Sequence, residues 1–578
     1  MKALLSGNEA IARGALEAGI SFASGYPGTP CTDILEELAG FDSIDAEWSP
    51  NEKVALDVAI GMSLGGRRSL VAMKHVGLNV ASDTLMTLSY TGVNAGIVIV
   101  TADDPGMYSS QNEQDNRNYA KFAKIPLLEP SDSQEAKDFI KTAIDISERF
   151  DTPVLVRITT RIAHSKSVVS VKKTVKKDIA RKPFKERPNK YAMVPANARI
   201  RRIFVEKRLE KLKEYSEKSK SNRIEWGSQR IGIVTSGISY CYAKEALPKT
   251  NILKLGMTYP LPSSLIKRFS KRFKSIYVAE ELDPFLEEQI AAFGIDVKGK
   301  ELFPYTNELS PSVISDGILK NRPKKIVPPK PLKNRPMVCA GCFYNGLFYI
   351  LNKLNLIVMG DIGCYALNVL SPKTRLQTCI SMGSGISIAS GLYKSIGEKN
   401  RKRVIGVIGD STFMHSGVTA LIDARYNKGV STVIVFDNKT TAMTGGQDHP
   451  GTGITLKKEK THRIDYRLLA KGLGIKRIKE IDCYNLRSAE RTLKKEISKE
   501  PLSLIITKNP CLLINKKKNS RIYSVDKDKC TACGECLKLE CQAISLDGKK
   551  ARIDPMLCSG CSLCKQICNA KAIKEQKL

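Results

Sequence analysis

RVIGVIGDSTFMHSGVTALIDARYNKGVSTVIVFDNKTTAMTGG, residues 403–446, holds two apolar runs, VIGVIG and STVIVF, separated by enough sequence for one helix. Both runs end on polar groups: Gly409, Asp410 and Ser411 after the first, Asp437 and Asn438 after the second. Near-continuous apolar runs rich in β-branched residues read as parallel strands buried on both faces, and the helical stretch between them makes a βαβ unit with a right-handed crossover. The polar groups then fall at the carboxyl ends of neighbouring strands, where open α/β sheets bind ligands. Magnesium takes six oxygens in an octahedron and combines one or two protein ligands with phosphate oxygens and water. Asp410 offers a carboxylate, Asn438 an amide carbonyl and Thr440 a backbone carbonyl, while Gly409 lets a diphosphate approach the backbone. The same dipeptides also make ordinary turns after strands, and this stretch alone does not choose between the two readings.

The chain around this unit has 578 residues and is 42% hydrophobic, enough for several buried cores. No apolar run is long enough to span a bilayer, and the opening MKALLSGNEAIAR meets charge too early for a secretory signal. A reducing cytoplasm is expected, with no membrane association. The formal net charge of +33 raises nucleic acid as a partner, but the basic residues gather at 171–190, 321–336 and 515–521 with few aromatic rings among them to stack on bases. Solvated linkers account for these stretches, and nucleic acid is not expected. Steering of an acidic electron-acceptor protein is a second reading of the charge.

Those stretches also mark boundaries. Residues 1–165 alternate apolar runs (RSLVAMKH, NAGIVIVTA, TPVLVRIT) with helical segments and read as a doubly wound parallel sheet; 166–229 is a basic linker and helical connector; 230–320 repeats the α/β pattern on a smaller scale. Residues 336–510 form the block containing the stretch quoted above, and 521–578 carry half of the chain's sixteen cysteines.

Cys530, Cys533, Cys536 and Cys541 are followed by Cys558, Cys561, Cys564 and Cys568. Triplets with two-residue gaps suit three irons of one cubane, and the fourth cysteine of each run is placed to complete the other cluster, as in two-cluster ferredoxins. Zinc is the rival reading, but it uses pairs and four ligands per ion, whereas two 4Fe-4S clusters use all eight thiolates. Four residues precede Cys541 where the ferredoxin pattern has three, and Gln542 and Asn569 stand where prolines are usual. Cys339 and Cys342 in VCAGC lack a second pair nearby, and packing near the cofactor is the expectation for them.

Gly409-Asp410-Ser411 and Asp437-Asn438 resemble the thiamine diphosphate signature, with serine and aspartate as departures. The glycine-rich segments GDIGCYALN (360–368) and SMGSGISIASG (381–391) resemble the cofactor-binding half of 2-oxoacid oxidoreductases, and through this resemblance Met382 and Gly383 join the cofactor-binding set. Such enzymes need a buried carboxyl group on the aminopyrimidine ring. Glu47 and Glu52 are candidates, and Glu52 resembles the activating glutamate. As pattern alone, Ser49-x-x-Glu52 with Pro50 between favours a capping box, and only the diphosphate half-site and the resemblance turn the reading to the activating glutamate.

GNEAIARGALEAG, SGYPGTP, EWSPNEK, MKHVGLNVASD, ADDPGMYSSQNEQDNR, GDSTFMHSG and TAMTGGQDHPGTG resemble, in order along nearly the whole chain, the large subunits of the indolepyruvate ferredoxin oxidoreductase family. The resemblance implies an α/β multidomain thiamine diphosphate enzyme with doubly wound parallel-sheet domains and a ferredoxin-like two-cluster module. Residues 1–165 would bind the pyrimidine, 230–320 would be transketolase C-terminal-like, and 336–510 would bind diphosphate and Mg2+. It implies thiamine diphosphate, Mg2+ and two 4Fe-4S clusters, with CoA as co-substrate, an aryl 2-oxoacid as substrate and ferredoxin as acceptor. A smaller beta subunit in an α2β2 heteromer is expected. Thr29 resembles a substrate-contacting threonine, and His75 and Asn79, placed in a loop after a strand, are further candidates; a loop hydroxyl and a structural histidine are their plain alternatives. A non-oxidative thiamine decarboxylase, and an electron-transfer protein with a decayed thiamine site, are the competing functions. The first has no use for eight cluster cysteines; the second conflicts with Glu52, Asp410 and Asn438 being in place.

Overall fold

A computed structural model describes residues 1–173, 182–320, 337–370, 376–497, 499–514 and 521–577. The chain divides into two compact units, Met1–Pro329 and Lys330–Leu578.

In the first unit, β1 (Lys2–Ser6) leads into α1 (Gly7–Glu17), whose N-terminus carries a complete capping box between Ser6 and Glu9. Next come β2 (Phe22–Gly25), α2 (Thr32–Ala39), β3 (Asp45–Trp48), α3 (Glu52–Leu64), β4 (Ser69–Lys74), α4 (His75–Thr91), β5 (Ile97–Asp103), β6 (Leu127–Leu128) and β7 (Val154–Thr159). β4 and β5 are buried along their full length, which explains their nearly unbroken apolar sequence. The sheet order is β3-β2-β4-β5-β7-β6, all parallel. Met257–Tyr259 adds an antiparallel edge strand beside β6.

The segments expected at 166–229 and 230–320 are tied into this unit more closely than a linker and a free domain would be. Lys166–Ser170 pairs antiparallel with β1, and Arg223–Glu225 is the edge of a four-stranded sheet completed by Asn251–Leu255, Gly232–Ser236 and Ile276–Ala279. Between them runs the helix Pro195–Lys218. One apolar core joins Leu78, Leu85 and Ile99 to Val234, Leu253 and Phe285. Arg117, fully buried, reaches Glu280 at 2.6 Å and also pairs with Asp115. Loss of Glu280 would leave that guanidinium under-compensated, at roughly 3–5 kcal/mol.

The second unit contains six parallel strands in the order Leu376–Thr378, Ile357–Met359, Val404–Gly409, Thr432–Asp437, Ser503–Lys508, Arg477–Ile481. The two runs quoted at the outset are neighbours, with Gly409 opposite Phe436. The connection between them is helical from Asp410 to Tyr426, with a π turn at Phe413–Gly417. The cysteine-rich tail forms two small antiparallel pairs, Arg521–Val525 with Ile573–Lys577 and Ile544–Asp547 with Lys550–Ile553. It shares a core with Phe343, Leu347 and Leu486.

Candidate functional site

In the second unit the chain leaves Ile357–Met359 towards one sheet edge and Val404–Gly409 towards the other, so the crevice of a doubly wound sheet opens between these two strand ends. Each end carries Gly-Asp: Gly360-Asp361 and Gly409-Asp410. Asp410 is buried; Oδ1 accepts the Ser411 N–H at 2.9 Å and Oδ2 the Lys439 N–H at 2.8 Å. His449 Nε2 lies 3.3 Å from the same Oδ2 without hydrogen-bond alignment, while its Nδ1 accepts the Gly451 N–H at 3.1 Å. Asn438 Oδ1 accepts the Thr440 N–H at 3.0 Å and its Nδ2 donates to the Tyr344 hydroxyl at 3.3 Å. Ser411 Oγ accepts from Thr441 Oγ1 at 2.9 Å.

Asp437, paired with Lys439, is raised above the usual carboxylate range by burial, with Asp410 adding to the rise, and its Oδ1 has no hydrogen-bond partner among the described residues. Two buried carboxylates that act on each other, with Lys439 the one cation paired to them among the described residues, are a place where a divalent cation could be held. Asp410, the Asn438 carbonyl oxygen and the Thr440 backbone carbonyl are the oxygens that could hold it. Asp361, absent from the sequence-derived set, accepts backbone N–H groups from Ile362 at 2.8 Å, Gly383 at 3.0 Å and Gly385 at 2.7 Å. Burial still pushes its carboxyl up to about 6. Gly383 has φ +90°, and a side chain there would meet Ser416 Cβ at 2.6 Å, so this turn requires glycine. Met382, half-buried, sits one residue before it.

The tail cysteines surround two cavities. Cys558, Cys561 and Cys564 line one together with Cys541; Cys530, Cys533 and Cys536 line the other together with Cys568. Each triplet is thus completed from the other run. The extra residue before Cys541 is absorbed where Glu540 takes a left-handed conformation, φ 51°. Gln542 donates from Nε2 to Met337 O at 2.9 Å and Val338 O at 3.1 Å, which a proline could not do.

Cys339 and Cys342, expected to pack near the cofactor, have two further cysteines close to them. Burial first, and then the charges of Cys339, Cys511 and Cys364, raise the Cys342 thiol far above its usual range; burial with Cys511 and Cys339 pushes Cys364 up to about 11. Four thiols from distant parts of the sequence therefore occupy one neighbourhood. The Cys511 N–H donates to Asn438 O at 2.8 Å, which sets them beside the Asp410 crevice. On the other side Gly341, between Cys339 and Cys342, lines the Cys541 cavity, and a side chain there would stand 3.3 Å from Cys561 Sγ. No three His, Cys, Asp or Glu side chains among the described residues converge closely enough to hold one metal ion. The tail thiols line the walls of their two cavities rather than converge on a single ion.

In the first unit the loops at the carboxyl ends of β2, β4 and β5 converge. The N-cap of α3 is Asn51, whose Oδ1 accepts the Val54 N–H at 2.9 Å, whereas Ser49 Oγ points to Glu47 Oε1 at 3.4 Å. The Ser49 capping box is therefore not the one used, because the strand runs on to Trp48 and the helix starts later. Glu52, 5% exposed, opens α3 and lies against Gly77, where an added Cβ would be 2.5 Å from Glu52 Oε1. His75 and Asn79 belong to α4 itself, since β4 passes into the helix directly at Lys74, the extended N-cap. His75 is fully buried, its Nε2 is 3.3 Å from Asn112 Oδ1, and burial lowers its pKa. Asn79 is exposed and accepts from the Tyr119 hydroxyl at 2.7 Å. Thr29 is half-buried, with its carbonyl accepting from Ser109 Oγ at 3.4 Å.

Residues 13–225 match the family described as "Pyruvate flavodoxin/ferredoxin oxidoreductase, thiamine diP-bdg", and residues 361–507 match "Thiamine pyrophosphate enzyme, C-terminal TPP binding domain". The indolepyruvate oxidoreductase subunit IorA of Archaeoglobus fulgidus is 38% identical over 100% of this chain and 98% of its own length. The chain belongs to the IorA family. IorA from Methanothermobacter marburgensis is 37% identical over 99% of this chain and 97% of that one, and IorA from Pyrococcus abyssi 38% over 99% and 97%. As an IorA-family member the chain is an oxidoreductase with thiamine diphosphate-binding domains. Among its described residues no helix is long and apolar enough to cross a membrane.

Proposed function

We propose that this chain is the large subunit of a ferredoxin-coupled aryl 2-oxoacid oxidoreductase. The reaction joins an arylpyruvate anion such as indolepyruvate to CoA, releases carbon dioxide and one proton, and passes two electrons singly to two oxidised ferredoxins. Thiamine diphosphate supplies the nucleophilic carbon and the electron sink for that decarboxylation. The observation that carries the reading is continuity within the second unit: the Asp410 crevice touches the Cys339, Cys342, Cys364 and Cys511 set through Asn438, and Gly341 links that set to the Cys541 cavity. An enzyme that only decarboxylated would have no need of thiols arranged from crevice to surface.

Asp410, Asn438 and Thr440 hold Mg2+ and through it the diphosphate, with Gly409, Ser411, Met382 and Gly383 around it. Asp361 orders the backbone N–H groups of the Gly383 turn. Glu52 holds a proton at its carboxyl for the aminopyrimidine ring, screened from water by burial; Thr29 and His75 face the substrate. Cys530, Cys533, Cys536 and Cys568 hold one 4Fe-4S cluster and Cys541, Cys558, Cys561 and Cys564 the second; the Cys339 set holds a third, nearest the crevice. The word subunit in the relatives' names supports a partner chain; a smaller subunit in an α2β2 assembly, ferredoxin as acceptor and the cytoplasm as location complete the proposal.

The test is anaerobic reduction of a low-potential acceptor by the chain purified with its small partner. Indolepyruvate, pyruvate and 2-oxoglutarate are compared with and without CoA. CoA-dependent reduction led by indolepyruvate is expected; carbon dioxide released without acceptor reduction would favour the non-oxidative decarboxylase instead.

A further inference from the structure

Lys74 ends the central strand β4 and is only 8% exposed. A buried ammonium is costly unless its charge is met. Its Nζ donates to the Ser109 backbone carbonyl at 2.7 Å, and no carboxylate forms an ion pair with it among the described residues. Asp104 acts on it only through space. That carboxylate is already engaged by the Ser109 N–H at 2.9 Å, Ser110 Oγ at 2.5 Å and Thr160 Oγ1 at 2.8 Å. Cys31 also lies nearby, but burial pushes its thiol up to about 12, so it stays neutral and brings no balancing charge.

The position of this cation is specific. The turn at 26–30 rests on its stem, since a side chain at Gly28 would come within 3.0 Å of Lys74 Cβ. Ser109, which accepts from Lys74 through its carbonyl, donates from Oγ to Thr29 O at 3.4 Å. His75 follows it in the chain, and Cys31 feels the charges of both Lys74 and Glu52. An ammonium has three N–H donors and one is used here, which leaves two for an anion in the crevice.

We propose that Lys74 receives the carboxylate of the 2-oxoacid at the carboxyl ends of β2, β4 and β5, with Thr29 beside it. The proposal rests on the oxidoreductase reading above and names the residue that would read the acid group of its substrate. Because that ion pair forms on binding and is kept while the keto carbon is attacked, its loss weakens the bound substrate and the transition state of attack alike. Lysine 74 therefore acts on KM and much less on kcat.

The experiment uses the holoenzyme with its small subunit, comparing wild type, Lys74→Met and Lys74→Arg. For Lys74→Met, the KM for indolepyruvate should rise about 30-fold or more while kcat changes less than about 3-fold. Lys74→Arg should recover most of the loss. The carboxamide of the same oxoacid, used as a competitive inhibitor, separates charge recognition from packing: its inhibition constant should stay within about 3-fold across the variants. Equal losses for acid and carboxamide, or an unchanged KM, would overturn the assignment of Lys74 alone, provided wild type oxidises the acid. A wild-type enzyme that oxidises no 2-oxoacid overturns this proposal together with the reading it rests on.

Discussion

Numbered by first appearance, the six parallel strands of the first unit lie in the order 2-1-3-4-6-5, and so do the six of the second. The crevice between strands 1 and 3 is thus built twice, yet it is furnished with opposite charge. In the second unit strands 1 and 3 run into Asp361 and Asp410; in the first, strand 3 runs into Lys74 and His75, with Glu52 brought in from a neighbouring helix. Identical topology fixes where a ligand can lie, because only at the switch point do the connections part and leave strand ends uncovered. It says nothing of what the ligand is. Acids with backbone donors suit a cation and the phosphates it carries; a lysine without a contacting carboxylate suits an anion.

Substitutions at the two crevices can break this comparison. Glu52→Gln should have the largest effect, lowering turnover about 10²–10⁴-fold while thiamine diphosphate affinity, measured by calorimetry, changes little. Normal turnover would return Glu52 to a structural role. Asp410→Ala, the counterpart on the acidic side, should weaken Mg2+-dependent cofactor binding about 100-fold or more; an unchanged titration would mean that the acidic crevice is not the cation site. Next in size, Cys364→Ser should remove about four irons per chain and cut acceptor reduction while carbon dioxide release persists. Iron content equal to wild type would leave the Cys339 set as packing. The finest probe is Gly77→Ala, where the new methyl would stand 2.5 Å from Glu52 Oε1. Displacing that carboxyl should cost about 10-fold in turnover and about 1–3 kcal/mol of stability, since the methyl also meets the buried Glu52 Cγ at 2.7 Å. A variant with full activity would show that the exact seat of Glu52 is unimportant.

Much of the second crevice was legible along the chain because strand, polar end and return helix are contiguous, so Asp410, Asn438 and Thr440 could be named from one stretch. Asp361 follows the apolar run NLIVMG as Asp410 follows VIGVIG, and that parallel was the available signal. Cys364 and Cys511 offered none: each is a lone cysteine, and only folding brings them to Cys342. The Ser49 capping pattern misled because a cap is chosen by where the strand stops, which pairing with β2 decides, and Asn51 takes the place. Likewise His75 was placed in a loop because the direct passage of β4 into α4 has no marker residue.

By itself the sequence determined the parallel α/β class, the acidic strand ends and the interleaving of the two tail cysteine runs. These depend on periodicity and spacing, which are properties of neighbours along the chain. Only the tertiary structure decided that the two sheets share one strand order, that four scattered thiols lie in one neighbourhood near Asn438, and that Lys74 is buried with no ion pair among the described residues. Such facts depend on which strand ends become neighbours, and the long-range pairing that sets them is not written in any local pattern.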